Sequence, residues 1–199
     1  MGNQEEYKIV AERNQIRARE ILKELGIVEL WEQHGCEVNI VGSLEMKLLV
    51  KHLDIDLHVY SSGITEESSF AIVSQLAKKD NIKEIKCING LRTDERCIEW
   101  HLLYEDVDKR IWQIDIIHIE KGSAYDGYFE LMAKKINQNL TDSQRDTILR
   151  LKYETPQEEV IHGVEYYQAV MEDNIQTLAE LRRWVSKKRK GKEAYWMPL

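Results

Sequence analysis

The chain has 199 residues, of which 43% are hydrophobic and 32% charged, a composition typical of one folded domain or of one domain with a helical extension. The formal net charge of −7 argues against a dedicated nucleic-acid binder, because neutralising phosphates takes a basic surface. Three cysteines without metal-binding spacing, a polar N-terminus and no long apolar stretch predict a cytoplasmic protein that does not span a membrane.

The first part of the chain predicts a long helix, a strand and a shorter helix. Apolar residues at helical spacing predict a helix over residues 4–25, which is expected to end at Gly26. Glu37–Val41 alternates around two apolar residues and is expected to be a strand. Ser43 is a suitable N-cap for a helix over residues 44–51.

Four further strands and one helix are predicted before residue 122. Thr65 is a suitable N-cap for the helix, which is expected to continue to about residue 79. Apolar, β-prone runs predict the strands, and the last two are expected to form a hairpin. The four strands cover residues 53–60, 82–88, 97–104 and 110–119.

Only helical patterns follow Gly122. Thr141 and Gln144 form the capping-box pattern that begins a helix, and Thr155 followed by Pro156 indicates a second start. The four predicted helices cover residues 125–139, a segment that begins at Thr141, residues 155–173 and residues 176–190.

The order of these elements indicates the fold class. Strands with interspersed helices, followed by helices alone, argue for an α+β core with a helical C-terminal part. We expect the core, with its N-terminal helix, to span residues 1–122 and the helical region to span residues 123–199.

Three aspartates in apolar, β-prone runs are the strongest functional signal. Asp54 and Asp56 are two residues apart, so they point to one face of a strand, about 6.7 Å apart along it. That spacing lets two carboxylates share a pair of Mg²⁺ ions. Asp115, which has an isoleucine on each side, is the candidate for a third ligand on a neighbouring strand. The alternative is a solvated strand face without metal.

Gly42 and Ser43 lie at a predicted strand-to-helix junction, ten residues before Asp54. Glycine lets the backbone approach a phosphate closely, and the first turn of a helix presents free N–H groups to an anion. The alternative is an ordinary N-cap after a strand. Combined with the aspartates, the pair predicts chemistry on a nucleoside triphosphate with bound divalent metal.

A mononuclear zinc or iron site is disfavoured. Its candidate ligands alternate along one segment, where they would span about 20 Å, and one ion reaches only neighbouring pairs. These ligands are His52, Asp54, Asp56 and His58.

Glu99 and His101 share one face of a predicted strand, and two aromatic residues share the other. One of these pairs is available to line a pocket for a substrate that accepts the transferred group. For the aromatic residues, a packed core or rim is the usual environment. His118 has the opposite parity to Asp115, so we do not expect it on the metal-binding face.

The core resembles the nucleotidyltransferase superfamily of the DNA polymerase beta type in one motif: Gly42-Ser43, ten intervening residues, Asp54-Ile55-Asp56 and a later single aspartate. The resemblance covers roughly residues 37–119. It implies a short mixed sheet flanked by helices. It also implies transfer of a nucleoside monophosphate from an NTP, with ATP expected, to a hydroxyl group, with release of pyrophosphate.

The resemblance implies a role for each residue of the motif. Asp54, Asp56 and Asp115 would bind two Mg²⁺ ions, for which Mn²⁺ is an alternative, and Asp115 would also take the hydroxyl proton. Gly42 and Ser43 would bind the β- and γ-phosphates. The three aspartates are therefore the expected catalytic residues.

The sequence departs from small bacterial members, which often place an arginine shortly after the Gly-Ser pair. Here Lys47 is the nearest cation. Lys152 resembles the lysine that some members place on the triphosphate, and its alternative is a solvated helix lysine. We expect both lysines at the nucleotide.

The expected acceptor is a small molecule, and nucleic acid is not expected as a partner, because the sequence has no broad basic track. Residues 182–190 form one basic cluster, which is typical of a helix end. A transferase that acts on RNA or protein is one alternative, and a non-catalytic nucleotide-binding module of the same fold is another. The oligomeric state is left open.

Overall fold

A computed structural model describes residues 6–189 and 196–198 of the chain. Gln4, at the start of the first predicted helix, and Lys190, at the end of the last, lie outside the described residues. Within that part, no helix is both long and apolar enough to cross a membrane.

The helices are α1 (Glu6–Leu25), α2 (Ile27–Glu32), α3 (Gly42–Glu45), α4 (Glu66–Leu76), α5 (Tyr128–Asn139), α6 (Asp142–Glu154), α7 (Gly163–Asp173) and α8 (Leu178–Lys188). The strands are β1 (Glu37–Val41), β2 (Asp54–Ser61), β3 (Ile82–Asn89), β4 (Cys97–Glu105) and β5 (Ile111–Glu120).

The five strands form one mixed sheet in the order β1-β2-β5-β4-β3. β2 and β5 pair in parallel, although they are far apart in sequence, whereas the other neighbours pair antiparallel. The predicted hairpin is confirmed, because β4 and β5 are consecutive antiparallel neighbours. The parallel pair lies at the centre of the sheet and carries the predicted site.

One face of the sheet is covered by helices and holds the main hydrophobic core. Apolar side chains of α1, α2 and α4 pack there on alternate residues of β2, β4 and β5, such as Leu57, Leu102 and Ile116. Trp31 of α2 and Trp112 of β5 are fully buried in this core. The alternation of β-strand side chains leaves the other residues of the same strands on the second, open face.

A second hydrophobic cluster joins α5, α6, α7 and α8. It also contains Met46 and Leu48, which follow α3, and Trp196. The segment after α3 therefore contributes to the helical cluster from within the first predicted domain. The boundary between residues 122 and 123 stays a prediction.

The predicted helix over residues 44–51 is wrong beyond its first turn. α3 has only four residues, and Lys47 adopts a left-handed backbone with a φ of 57°. Residues 48–53 are irregular. Carbonyl groups in this segment accept hydrogen bonds from other elements. For example, Lys152 Nζ donates to the Leu48 carbonyl at 2.8 Å. Tertiary hydrogen bonds here replace those of a helix.

The predicted helix start at Thr155 is also wrong. Thr155 is the C-cap of α6, where its hydroxyl donates to the Leu151 carbonyl at 2.8 Å. The same hydroxyl accepts a hydrogen bond from Tyr166 of α7 at 2.9 Å. Residues 156–162 are irregular, and α7 begins at Gly163. A threonine with helix-starting sequence context is thus used to join two helices.

Candidate active site

The three aspartates come together on the open face of the sheet. Asp56 of β2 and Asp115 of β5 are register partners on adjacent parallel strands, and Asp54 is the partner of Gln113. Asp54, Asp56 and Asp115 are all partly buried, whereas Ile55 between the first two is fully buried on the covered face. Strand parity and register therefore gather three carboxylates into one cluster.

This cluster is electrostatically unfavourable by itself. Burial is the largest cause that raises the pKa of Asp54, and the Asp115 charge adds to it. Burial, followed by the charges of Asp54 and Asp115, raises the pKa of Asp56 to about 7. Among the described residues, no side chain donates a hydrogen bond to the carboxylate of Asp54 or of Asp56. Oxygen ligands that lack donors and repel one another fit a divalent cation such as Mg²⁺.

Gly42 lies directly against the Asp56 carboxylate. Its φ of +63° is in the left-handed region, and a Cβ at this position would overlap the Asp56 side chain. Glycine is thus needed twice, for its backbone conformation and for the close approach to Asp56.

Ser43 does not cap a helix, contrary to the ordinary N-cap interpretation. The N-cap of α3 is Val41, and the Ser43 hydroxyl lies 3.0 Å from that of Tyr167. Lys152 Nζ donates to the Ser43 hydroxyl at 2.8 Å. The Lys152 ammonium also lies 5.7 Å from the centre of the Tyr167 ring. This links the Gly-Ser turn to two helices of the C-terminal region.

The two lysines predicted at the nucleotide occupy different environments. Lys152 is only 7% exposed, so its interpretation as a solvated helix lysine is wrong. Lys47 is exposed, and no hydrogen bond or ion pair joins its side chain to another in the part of the chain that is described. The structure therefore brings Lys152 to Ser43 and leaves Lys47 outside this network.

Asp115 is contacted by two residues that were not predicted from the sequence to belong to the metal site. His101 Nδ1 of β4 lies 2.7 Å from Asp115 Oδ1, and its Nε2 lies 3.2 Å from a carboxylate oxygen of Glu99. Gln113 Nε2 donates to both Asp115 oxygens at 2.9 and 3.0 Å. Gln113 was detectable, because it shares strand parity with Asp115, but the contact of His101 depends on the register between β4 and β5.

The alternative metal ligands do not assemble. His52 is exposed before β2, whereas the buried His58 lies 3.5 Å from a Glu130 oxygen and packs against the Phe129 ring. His118 is on the covered face, as predicted, where it contacts the hydroxyl of Ser69.

Several solved structures are similar to most of this chain. The non-canonical poly(A) polymerase complex GLD-2–GLD-3 matches with a TM-score of 0.57 and 10% identity, over 84% of this chain and 56% of that one. The Cid1 poly(U) polymerase bound to MgGTP matches with a TM-score of 0.58 and 18% identity, over 82% and 53%. A cytoplasmic RNA terminal U-transferase matches with a TM-score of 0.52 and 18% identity, over 82% and 50%. No protein-family model and no curated protein matches the sequence.

These similarities establish the fold. The chain has the α+β nucleotidyltransferase fold, with a five-stranded mixed sheet flanked by helices, and the predicted fold class is confirmed. The chain spans about half the length of these solved structures.

Two predictions are wrong: that the acceptor is a small molecule, and that nucleic acid is not a partner. The solved structures named above are poly(A) and poly(U) polymerases and an RNA terminal U-transferase. Both predictions relied on the net charge and on the lack of a broad basic track in the sequence, and neither describes the local field at one cleft.

Proposed function

We propose that this protein transfers a nucleoside monophosphate from an NTP to a terminal hydroxyl of RNA, with release of pyrophosphate. One observation carries the proposal: Asp56 and Asp115 are register partners on adjacent parallel strands, and Gly42 lies against Asp56. The solved structures with this fold support RNA as the acceptor, since their names describe enzymes that extend RNA.

Asp54, Asp56 and Asp115 would hold two Mg²⁺ ions, with Mn²⁺ as an alternative. Such ions, when bound, lower the pKa of an attacking hydroxyl and neutralise charge on the transferred phosphate and on the leaving pyrophosphate. Asp115 would accept the hydroxyl proton. His101 and Gln113 would keep the Asp115 carboxylate oriented through the hydrogen bonds described above.

Ser43 and Lys152 would contact the triphosphate. The Lys152 ammonium is buried and already bonded to the Ser43 hydroxyl, so both groups are held in position before an anion arrives. A buried ammonium attracts phosphate oxygens more strongly than an exposed one, because water screens it less. Lys47, which is exposed, would be a secondary contact.

The acceptor strand would cross the open face over β4 and β3. Lys86 of β3 is the register partner of His101, so it lies on the same face one strand further from Asp115. Lys86 is exposed, and among the described residues no hydrogen bond or ion pair engages its ammonium group. A single cation at this position would contact a phosphate of RNA whose end lies at Asp115.

The test is an extension assay with a labelled oligoribonucleotide, each of the four NTPs and Mg²⁺, read as product length and as pyrophosphate release. We expect extension that EDTA abolishes and that Asp56→Asn abolishes. Asp80→Asn, which makes the same change at an exposed turn, should retain activity. Nucleotide binding without pyrophosphate release would contradict the proposal and favour a non-catalytic module of this fold.

A further inference from the structure

A cavity lies on the open face, beyond the carboxylate cluster. It has a volume of about 240 Å³. Its floor is formed by Ile117 and Ile119 of β5, and Phe129 at the start of α5 forms part of its wall. Glu95, in the turn before β4, and Cys97 and Glu99, at the beginning of β4, line its polar side. Of the residues named here, Glu99 contacts the carboxylate site through His101 at 3.2 Å, and the others lie outside that site.

The position of the cavity follows from strand register. Glu99 is the partner of Ile117, and His101 is the partner of Asp115, so the cavity begins two residues along β5 from Asp115. Two residues correspond to about 6.6 Å along a strand. The 3′-oxygen and the base of a nucleoside, which one sugar ring connects, are separated by a distance of this order. A nucleotide with its 3′-hydroxyl at Asp115 can therefore reach the cavity with its base.

The size of the cavity selects a small, flat group. Pockets for drug-sized ligands measure roughly 300–1,000 Å³, and this cavity is smaller. An apolar floor and an aromatic wall suit a planar ring system, because every nucleobase has a face that packs on apolar and aromatic side chains. A phosphodiester group is excluded by the two neighbouring carboxylates.

The polar side of the cavity accepts hydrogen bonds. One ligand atom of each of Glu95, Cys97 and Glu99 lies within 4.8 Å of the others. Burial, with the charges of Glu99 and Glu95, raises the pKa of the Cys97 thiol to about 11, so it adds no negative charge. Carboxylates accept from the amino groups of bases, as in contacts between acidic side chains and cytosine N4. The carbonyl oxygens of uracil would face repulsion here.

We infer that this cavity binds the terminal base of the RNA acceptor and favours a base with an exocyclic amine over uracil. This inference rests on the proposed function, since it assigns the acceptor end of the same reaction. Phe129 and the two isoleucines would hold the base, and Glu95 would accept a hydrogen bond from its amine, since Glu99 contacts His101. The cavity would thus give preference among RNA ends without contacting the incoming NTP.

The experiment measures single-nucleotide addition to oligoribonucleotides that differ only in the 3′-terminal residue. We expect kcat/KM for 3′-adenosine or 3′-cytidine to exceed that for 3′-uridine by at least fivefold. A 3′-purine riboside, which lacks only the amine of adenosine, should lose most of that advantage. Glu95→Gln should bring the adenosine-to-purine-riboside ratio close to one, and Glu67→Gln, the same change on the exposed surface of α4, should leave it unaltered.

The outcomes separate the two proposals. Equal extension of all the ends, or a ratio that Glu95→Gln does not change, overturns the base-binding cavity and leaves the transfer reaction standing. No extension of any RNA end by folded wild-type protein with Mg²⁺ and NTP overturns the proposed function itself. Loss of the preference in Glu95→Gln alone supports the cavity.

Discussion

The two faces of the sheet use the same strands for opposite purposes. On the covered face, Leu57 and Ile116 are fully buried under helices. On the open face, the preceding residue of each strand, Asp56 or Asp115, is a carboxylate in a cluster that repels itself. One backbone therefore holds a stabilising core on one side and a destabilising polar cluster on the other. Substitutions at positions one residue apart are therefore expected to have different effects. A substitution on the covered face should lower stability, and one on the open face should lower activity.

The largest effect is expected for Asp115→Asn. A metal ion held by this carboxylate would stabilise the transition state by several kcal/mol. Loss of that stabilisation corresponds to a fall of about 10³-fold in kcat. The melting temperature should change little, because removing a charge that repels Asp56 is offset by weaker contacts with His101 and Gln113. Extension kinetics and thermal unfolding check this, with Asp80→Asn as the control. Near-normal turnover in Asp115→Asn would show that Asp115 is not part of the catalytic site.

The neighbouring Ile116→Ala should show the reverse behaviour. Ile116 is 0% exposed, and truncation of a buried isoleucine lowers the free energy of unfolding by about 2–5 kcal/mol. The activity of the remaining folded protein should change little. Urea unfolding measures the loss, and Ile111→Ala, at a position that is 48% exposed, is the matched control with a small effect. Equal losses in both variants would contradict the division between faces.

Gly42→Ala tests the contact between the Gly-Ser turn and the carboxylates. A left-handed backbone costs an alanine about 1–2 kcal/mol, and the added Cβ would also displace Asp56. Gly35→Ala has the same backbone penalty at φ +77°, but it meets no atom within 4 Å. We expect both variants to lose stability, Gly42→Ala the more, and a fall of at least tenfold in activity, by a rough estimate, only for Gly42→Ala. Retained activity would show that Gly42 does not position Asp56.

The pH dependence of stability should have opposite signs on the two faces in metal-free protein. The pKa of Asp56 is raised to about 7 from its ordinary value of 3.8, so its contribution is present at low pH and is lost as the pH rises through that window. Burial lowers the pKa of His118 to about 4 from 6.5, so its contribution is present above pH 6.5 and is lost as the pH falls.

Melting temperatures across these windows in Asp56→Asn and His118→Gln check the two signs. The first variant should lose stability less steeply as the pH rises, and the second less steeply as it falls. Parallel curves for wild type and both variants would contradict this assignment. Added Mg²⁺ should stabilise the wild type more at pH 7.5 than at pH 5.5, because the ligands must be deprotonated.

The smallest effect is expected for Lys86→Gln, at the edge of the open face. Loss of one phosphate contact should raise KM for RNA a few-fold and reduce the salt slope of binding by about one. KM for the NTP should not change. Lys78→Gln, an exposed lysine after α4, is the control. An unchanged salt slope would place the acceptor strand elsewhere.

Much of this arrangement was predictable from local sequence. Strand alternation put Asp54 and Asp56 on one face and His118 on the face opposite Asp115. The N-cap at Thr65 and the capping box at Thr141 are present as predicted, because their hydrogen bonds are made within one turn. These features depend on neighbouring residues alone, and their physical determinants are therefore readable from the chain.

The features that failed, or were missed, depend on distant partners. The helix predicted after Ser43 is replaced by carbonyl contacts such as that from Lys152, and Thr155 bonds to Tyr166 instead of starting a helix. The contact of His101 with Asp115 is set by strand pairing. The roles of the site residues in catalysis stay predictions.

The sequence by itself determined which residues alternate and which turns and caps can form, because parity and capping are local properties of the backbone. Only the tertiary structure decided that β5 pairs with β2 in parallel, so that Asp115 lies beside Asp56, and that Lys152 meets Ser43. Register between distant strands is chosen by the burial of the whole covered face, since a slip of one residue would expose that core and bury the aspartates.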